Sequence, residues 1–123
     1  MATITKRGLE PAGGGGEVVA VSVDATSSTG TDVHEGPSNT SHYDEVWIWA
    51  TNINTSTETL TIQFGGVTAA LHNFVTTINP NETVLVVPGW VLKGAGTELL
   101  VKAFATNGDK VNLTGYVNRI DQS

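Results

Sequence analysis

Along most of this chain apolar residues recur at every second position, and no window keeps the 3.6-residue spacing of a helix. In ETLTIQF, Leu60, Ile62 and Phe64 alternate with Thr59, Thr61 and Gln63. Val111, Leu113 and Val117 stand in the same way against Asn112, Thr114 and Asn118. This alternation predicts eight strands, over 17–23, 31–35, 44–52, 58–64, 73–78, 83–87, 98–106 and 110–118. Short antiparallel strands of this kind predict an all-β sandwich of about eight strands, with a jelly roll as the expected topology.

One segment breaks the half-buried rule. In YDEVWIWATN, residues 43–52, Tyr43, Trp47 and Trp49 fall on one side and Val46, Ile48 and Ala50 on the other. The simplest reading makes Trp47 and Trp49 core residues, because large rings bury much surface in a thin sandwich. The opposite apolar face then needs a cover: an arm, a long loop or another copy of the chain.

The turns have local chemistry. Asn107-Gly108 between two strand patterns predicts a type I′ hairpin turn, which needs positive φ at both central residues. Asn79-Pro80-Asn81-Glu82 predicts a type I turn, with proline's fixed φ at the second position. Gly65-Gly66 and Pro88-Gly89 are expected to end their strands. Residues 24–31 and 35–42 are expected to be loops. The run Gly13–Gly16 predicts a flexible N-terminal arm over 1–16, leaving the sandwich domain at 17–123, because four glycines cost too much conformational entropy for a regular element.

Charge adds direction. The formal net charge of −6 argues against a nucleic-acid partner, which needs a basic patch. No Lys or Arg occurs between Gly8 and Leu92. That isolates Lys6 and Arg7 as a candidate contact for an acidic neighbour. The chain has no cysteine, which excludes disulfides and thiol chemistry. No apolar run reaches membrane-spanning length, so no membrane partner is expected. The N-terminus lacks the apolar core of a secretory signal, and synthesis in a cytoplasm is expected.

No catalytic constellation emerges, and an enzyme is not expected. Asp32, His34 and Glu35 lie near His42, Asp44 and Glu45 in sequence, but the spacing fits no metal-ligand motif. A solvated loop is the preferred reading, and neither metal nor cofactor is expected. Asp44 and Glu45 are adjacent on a strand and point to opposite faces, so they cannot share a substrate proton. Trp90, just past Pro88-Gly89, is expected at a loop tip with Val91 and Leu92 behind it. Three roles are open for it: an interaction anchor, loop packing or a sugar platform.

Three strings carry a resemblance: YDEVWIWATN, LTIQFGG and VLVVPGWVLKGAGTELLVKAFATNGDKVNLTGYVNRI. In this order they resemble a family of small virion structural proteins of tailed bacteriophages, over about residues 31–120. The resemblance implies a capsid decoration (cement) protein, displayed in many copies on the phage head. The partners it implies are the major capsid protein and copies of the chain itself, a trimer among the options. Candidate assembly contacts are Lys6, Arg7, Trp47, Trp49, Trp90, Val91 and Leu92. The rival expectation is a carbohydrate- or receptor-binding module of a tail or fibre. A neck or tail component is a weaker third.

Overall fold

The computed structural model of the chain describes residues 2–9, 18–22, 24, 30–68 and 71–122. Among them are nine strands and no helix. They are β1 (Thr3–Gly8), β2 (Val19–Ala20), β3 (Thr31–Glu35), β4 (His42–Asn52), β5 (Glu58–Phe64), β6 (Asn73–Ile78), β7 (Thr83–Lys93), β8 (Leu100–Ala105) and β9 (Val111–Asp121). Two antiparallel sheets form the β-sandwich that the alternation predicts. One runs β1-β9-β4-β7, with β2 also on β9, and the other runs β3-β8-β5-β6. β1 lies along residues 116–121 of β9 and β2 along 112–113, so the two short strands follow one another on the same side. From β2 onward, every link except the β5–β6 hairpin passes from one sheet to the other.

The core lies between the sheets and follows the period of two. Val46, Ile48 and Ala50 of β4 and Val111, Leu113 and Val117 of β9 meet Leu60 and Ile62 of β5 and Val101, Ala103 and Ala105 of β8. Each fully enclosed Val, Leu or Ile contributes about 1.5–3 kcal/mol.

Strands β3, β5 and β6 occupy the predicted residues, but four local expectations fail. First, the stretch expected to be a tether is partly structural. β1 pairs with β9 at six positions, and Leu9 is 1% exposed within the core. TITKR supplies β-branched residues that cover an edge of β9, and Leu9 then turns inward. The rest of the expected arm, including the run 13–16, lies outside the described residues. Secondly, Pro88-Gly89 does not end a strand. β7 runs on to Lys93, with a bulge where Trp47 pairs with Pro88 and Val46 with Trp90. Gly89 adopts φ 78°, and a Cβ on it would lie 2.8 Å from the Trp47 ring.

Thirdly, Asn107-Gly108 is no hairpin. β8 and β9 belong to different sheets, and the positive φ falls on Asp109 at 60°. Tertiary contacts shape this link: Asn107 donates to the Glu58 carboxylate, and the Asp109 N–H donates to the Val21 carbonyl. Fourthly, the turn 79–82 is closed by the Glu82 N–H donating to the Asn79 carbonyl at 3.1 Å, but Asn81 has φ 61°. A positive φ at the third position is the mark of type II, not type I.

Candidate functional site

The orientation of β4 decides what the molecule shows to solvent. Because Val46, Ile48 and Ala50 take the core side, Trp47 and Trp49 point outward, half-buried. This overturns their expected place in the core. The small aliphatic residues fill the thin space between the sheets, and Gly115, opposite Ile48, leaves room for the β4 backbone, which a Cβ there would strike.

Register then assembles an outer face. Trp47 pairs with Tyr116 on β9, and Trp49 pairs with Leu85 on β7. The Tyr116 ring stacks on both indoles, with centroids 6.4 Å from Trp47 and 6.1 Å from Trp49. Leu85 extends the ring cluster to the β7 edge, while Ile4 and Val91 are exposed elsewhere on the same face, Val91 beside Glu45 and Ile4 beyond the line of Lys6, Asn118 and Glu45. The Lys6 ammonium lies 4.5 Å from the centre of the Tyr116 ring, and that of Lys93 lies 5.6 Å from the centre of Tyr43. Glu45 is the one carboxylate at these outward strand positions. It accepts hydrogen bonds from Trp47 Nε1 at 2.8 Å and Asn118 Nδ2 at 3.1 Å. Those donors, the indole foremost, hold its pKa below the usual glutamate value. A face of rings, aliphatics and pinned polar groups is suited to contact with a partner.

The candidate contacts separate on this framework. Lys6, Trp47, Trp49 and Val91 share the outer face. Arg7 lies on the other side of β1 and lines a cleft of about 310 Å³ with Glu35, Gly36, Pro37, Ser38, Glu98 and Arg119. Leu92 is 3% exposed and belongs to the core, so it is no surface contact. Trp90 is not at a loop tip. It is half-buried within β7 and packs edge-on to Phe64 at 5.3 Å and against Phe74 at 4.6 Å. The bulge at Gly89 returns its side chain to the interior. Tyr116 and Leu85 were missed by the sequence reading, although Tyr116 shares outward parity with Asn112, Thr114 and Asn118.

The polar cluster around residues 32–45 is not a solvated loop. His34 and Asp44 are enclosed between the sheets, and His34 Nε2–H donates to Asp44 Oδ2 at 2.7 Å. Arg119 grips the same carboxylate with two donors, Nε to Oδ1 at 2.7 Å and Nη2 to Oδ2 at 2.8 Å. Burial raises the pKa of Asp44, but the Arg119 and His34 hydrogen bonds together with their charges outweigh it and hold the group below its ordinary value. The chemistry is that of a buried ion network joining β3, β4 and β9. Glu58, also enclosed, accepts from Asn54 and from both nitrogens of Asn107. No known family model matches this chain, and no curated protein matches it.

Proposed function

We propose that this chain is a non-enzymatic structural protein of a tailed-phage virion, a decoration protein that clamps the capsid shell through the outer face of the β1-β9-β4-β7 sheet. The observation that carries the reading is the cluster of Tyr116, Trp47, Trp49 and Leu85 on the side away from the core, with Ile4 and Val91 exposed on the same face. A cluster of rings left half-open to solvent on a small protein marks a contact site. The orders β2-β9-β4-β7 and β3-β8-β5-β6 support reading the sandwich as a jelly roll. The resemblance of the strand and turn strings to phage virion proteins supports the setting. In this reading the partners are the major capsid protein and further copies of the chain, on the virion surface.

Co-sedimentation with empty capsids tests this. Trp47→Ala/Trp49→Ala is expected to keep its β-type circular dichroism spectrum and to bind capsids at least thirtyfold more weakly, the loss of an anchor worth about 2 kcal/mol. Parent protein that does not bind capsids at all sinks the reading. The rival, a carbohydrate- or receptor-binding module, attaches to the same stacked rings and no longer to Trp90. Glycan-array binding abolished by the same double substitution would favour it.

A further inference from the structure

Among the described residues the two sheets end in four edges: the β1/β2 side and β7 in one, β3 and β6 in the other. A free edge presents unpaired backbone N–H and C=O groups and so templates pairing with another chain. Folded proteins block such edges with charge, proline, bulges or short strands. Three of these four carry such devices. β7 has Pro88 and two register shifts. On the opposite side β1 has Lys6 and Arg7, and β2 is only two residues long. β3 has Asp32 and Glu35 and a register shift of its own. β6 is different. Its sequence, NFVTTI, has no charge and no proline, and its register against β5 is unbroken. Phe74 and Val75 are exposed on it, Val75 to 64%.

We propose that β6 is a self-association edge, which pairs antiparallel with β6 of a second copy about a two-fold axis at Val75. The strand is complementary to itself in that register. Val75 faces Val75, Phe74 faces Thr76, and Asn73 faces Thr77, so no like charges meet and each pair shares a face of the pleat. A slip of one residue would set side chains of opposite faces against each other. Asn73 adds a second observation. Its Oδ1 is a buried side-chain oxygen with no hydrogen-bond partner. In the proposed register the Thr77 side chain of the second copy stands across from Asn73, and rotation of the Asn73 side chain would bring this enclosed oxygen out to accept from that hydroxyl, twice by symmetry. Two four-stranded sheets thereby become one continuous sheet. A contact of this isologous kind closes as a dimer and not as a trimer. The inference specifies the self-contact within the decoration reading, but its test needs no capsid.

The test uses the full chain in sedimentation velocity and oxidative cross-linking. The parent is expected to dimerise in a concentration-dependent way. Val75→Lys, a charge at an exposed position, is expected to be monomeric, with an intact outer face and the melting temperature that the parent shows when diluted to the monomer. The absence of native cysteine makes cross-linking clean. Directly opposed antiparallel residues have Cα atoms about 4.5–5.5 Å apart, within disulfide reach. Val75→Cys should therefore link to itself, and Asn73→Cys mixed with Thr77→Cys should link to each other. A parent that stays monomeric, or a Val75→Lys variant that still dimerises, overturns the proposal. A dimer that forms but ignores capsids supports this edge and counts against the decoration reading alone.

Discussion

At the scale of single residues, enclosed polar groups and close backbone contacts carry more consequence than composition suggests. Asp44 is fully enclosed, and breaking a buried ion pair by removing one partner typically costs about 3–5 kcal/mol. Asp44→Asn is expected to destabilise the fold by that order in urea titrations. The pH dependence has a definite sign. The folded-state pKa values of Asp44 and Glu58 lie below their unfolded values. Their contribution is therefore present above about pH 4 and lost as pH falls through the depressed folded values. Melting temperature should drop along an acid limb below about pH 4, and Asp44→Asn should flatten it. An equally steep limb in the variant would remove Asp44 from the cause. Gly108 is a separate case. Its φ is not positive, yet a Cβ there would lie 2.8 Å from the Ser22 carbonyl oxygen. Gly108→Val is expected to lower stability by about 1–3 kcal/mol through overpacking. An unchanged melting temperature would show that the link can shift.

At the scale of elements, the sequence was legible in 58–64, where the period of two is clean, and in 31–35 and 73–78, where short β-branched runs stand between loop and turn residues. It misled where one local signal had two structural uses. Asn-Gly reads as a hairpin turn, but here it belongs to a link between sheets, with Asn107 drawn to Glu58 from a distance of 49 residues along the chain. Pro-Gly reads as a strand end, but here it builds a bulge that keeps β7 going and turns Trp90 inward. β1 was hidden because its six residues stand beside a glycine run and its core-side positions, Thr3, Thr5 and Arg7, are polar. Leu9→Ala is expected to cost about 2–5 kcal/mol, as for other enclosed leucines. Removing residues 1–9 should lower the melting temperature as well, by uncovering β9. A truncated chain as stable as the parent would return this segment to the role of a tether. Trp90→Ala is now expected to destabilise the fold, by about 3–5 kcal/mol less whatever its exposed part does not bury.

At the scale of the whole molecule, the outer face was half legible. The alternation in YDEVWIWATN showed two apolar sides without showing which one the core would take. Space between the sheets settles that, and it depends on core partners such as Leu60 and Leu113 far along the chain. The ion network was less legible still, because Arg119 reaches Asp44 across 75 residues. The molecule divides its two surfaces: rings flanked by Lys6, Lys93 and Glu45 on one sheet, and the uncharged edge NFVTTI on the other. Ionic strength should separate them. Salt is expected to leave pairing through the uncharged β6 unchanged, while contacts involving Lys6 and Lys93 weaken as salt screens them. Dimer dissociation at raised salt in sedimentation velocity would contradict that division.

The links that cross between sheets also govern how the chain finds its fold. Only β5 and β6 form a hairpin among the described strands, and every other pairing closes a longer loop before it is rewarded. Folding dominated by such distant pairings runs in milliseconds to seconds, with the local hairpin available first. The early hairpin then exposes NFVTTI while the rest of the chain is still searching, so refolding should be slow and its yield should fall as protein concentration rises. The Val75→Lys charge would protect that stage too, and stopped-flow refolding at two concentrations would show it as a yield that no longer depends on dilution.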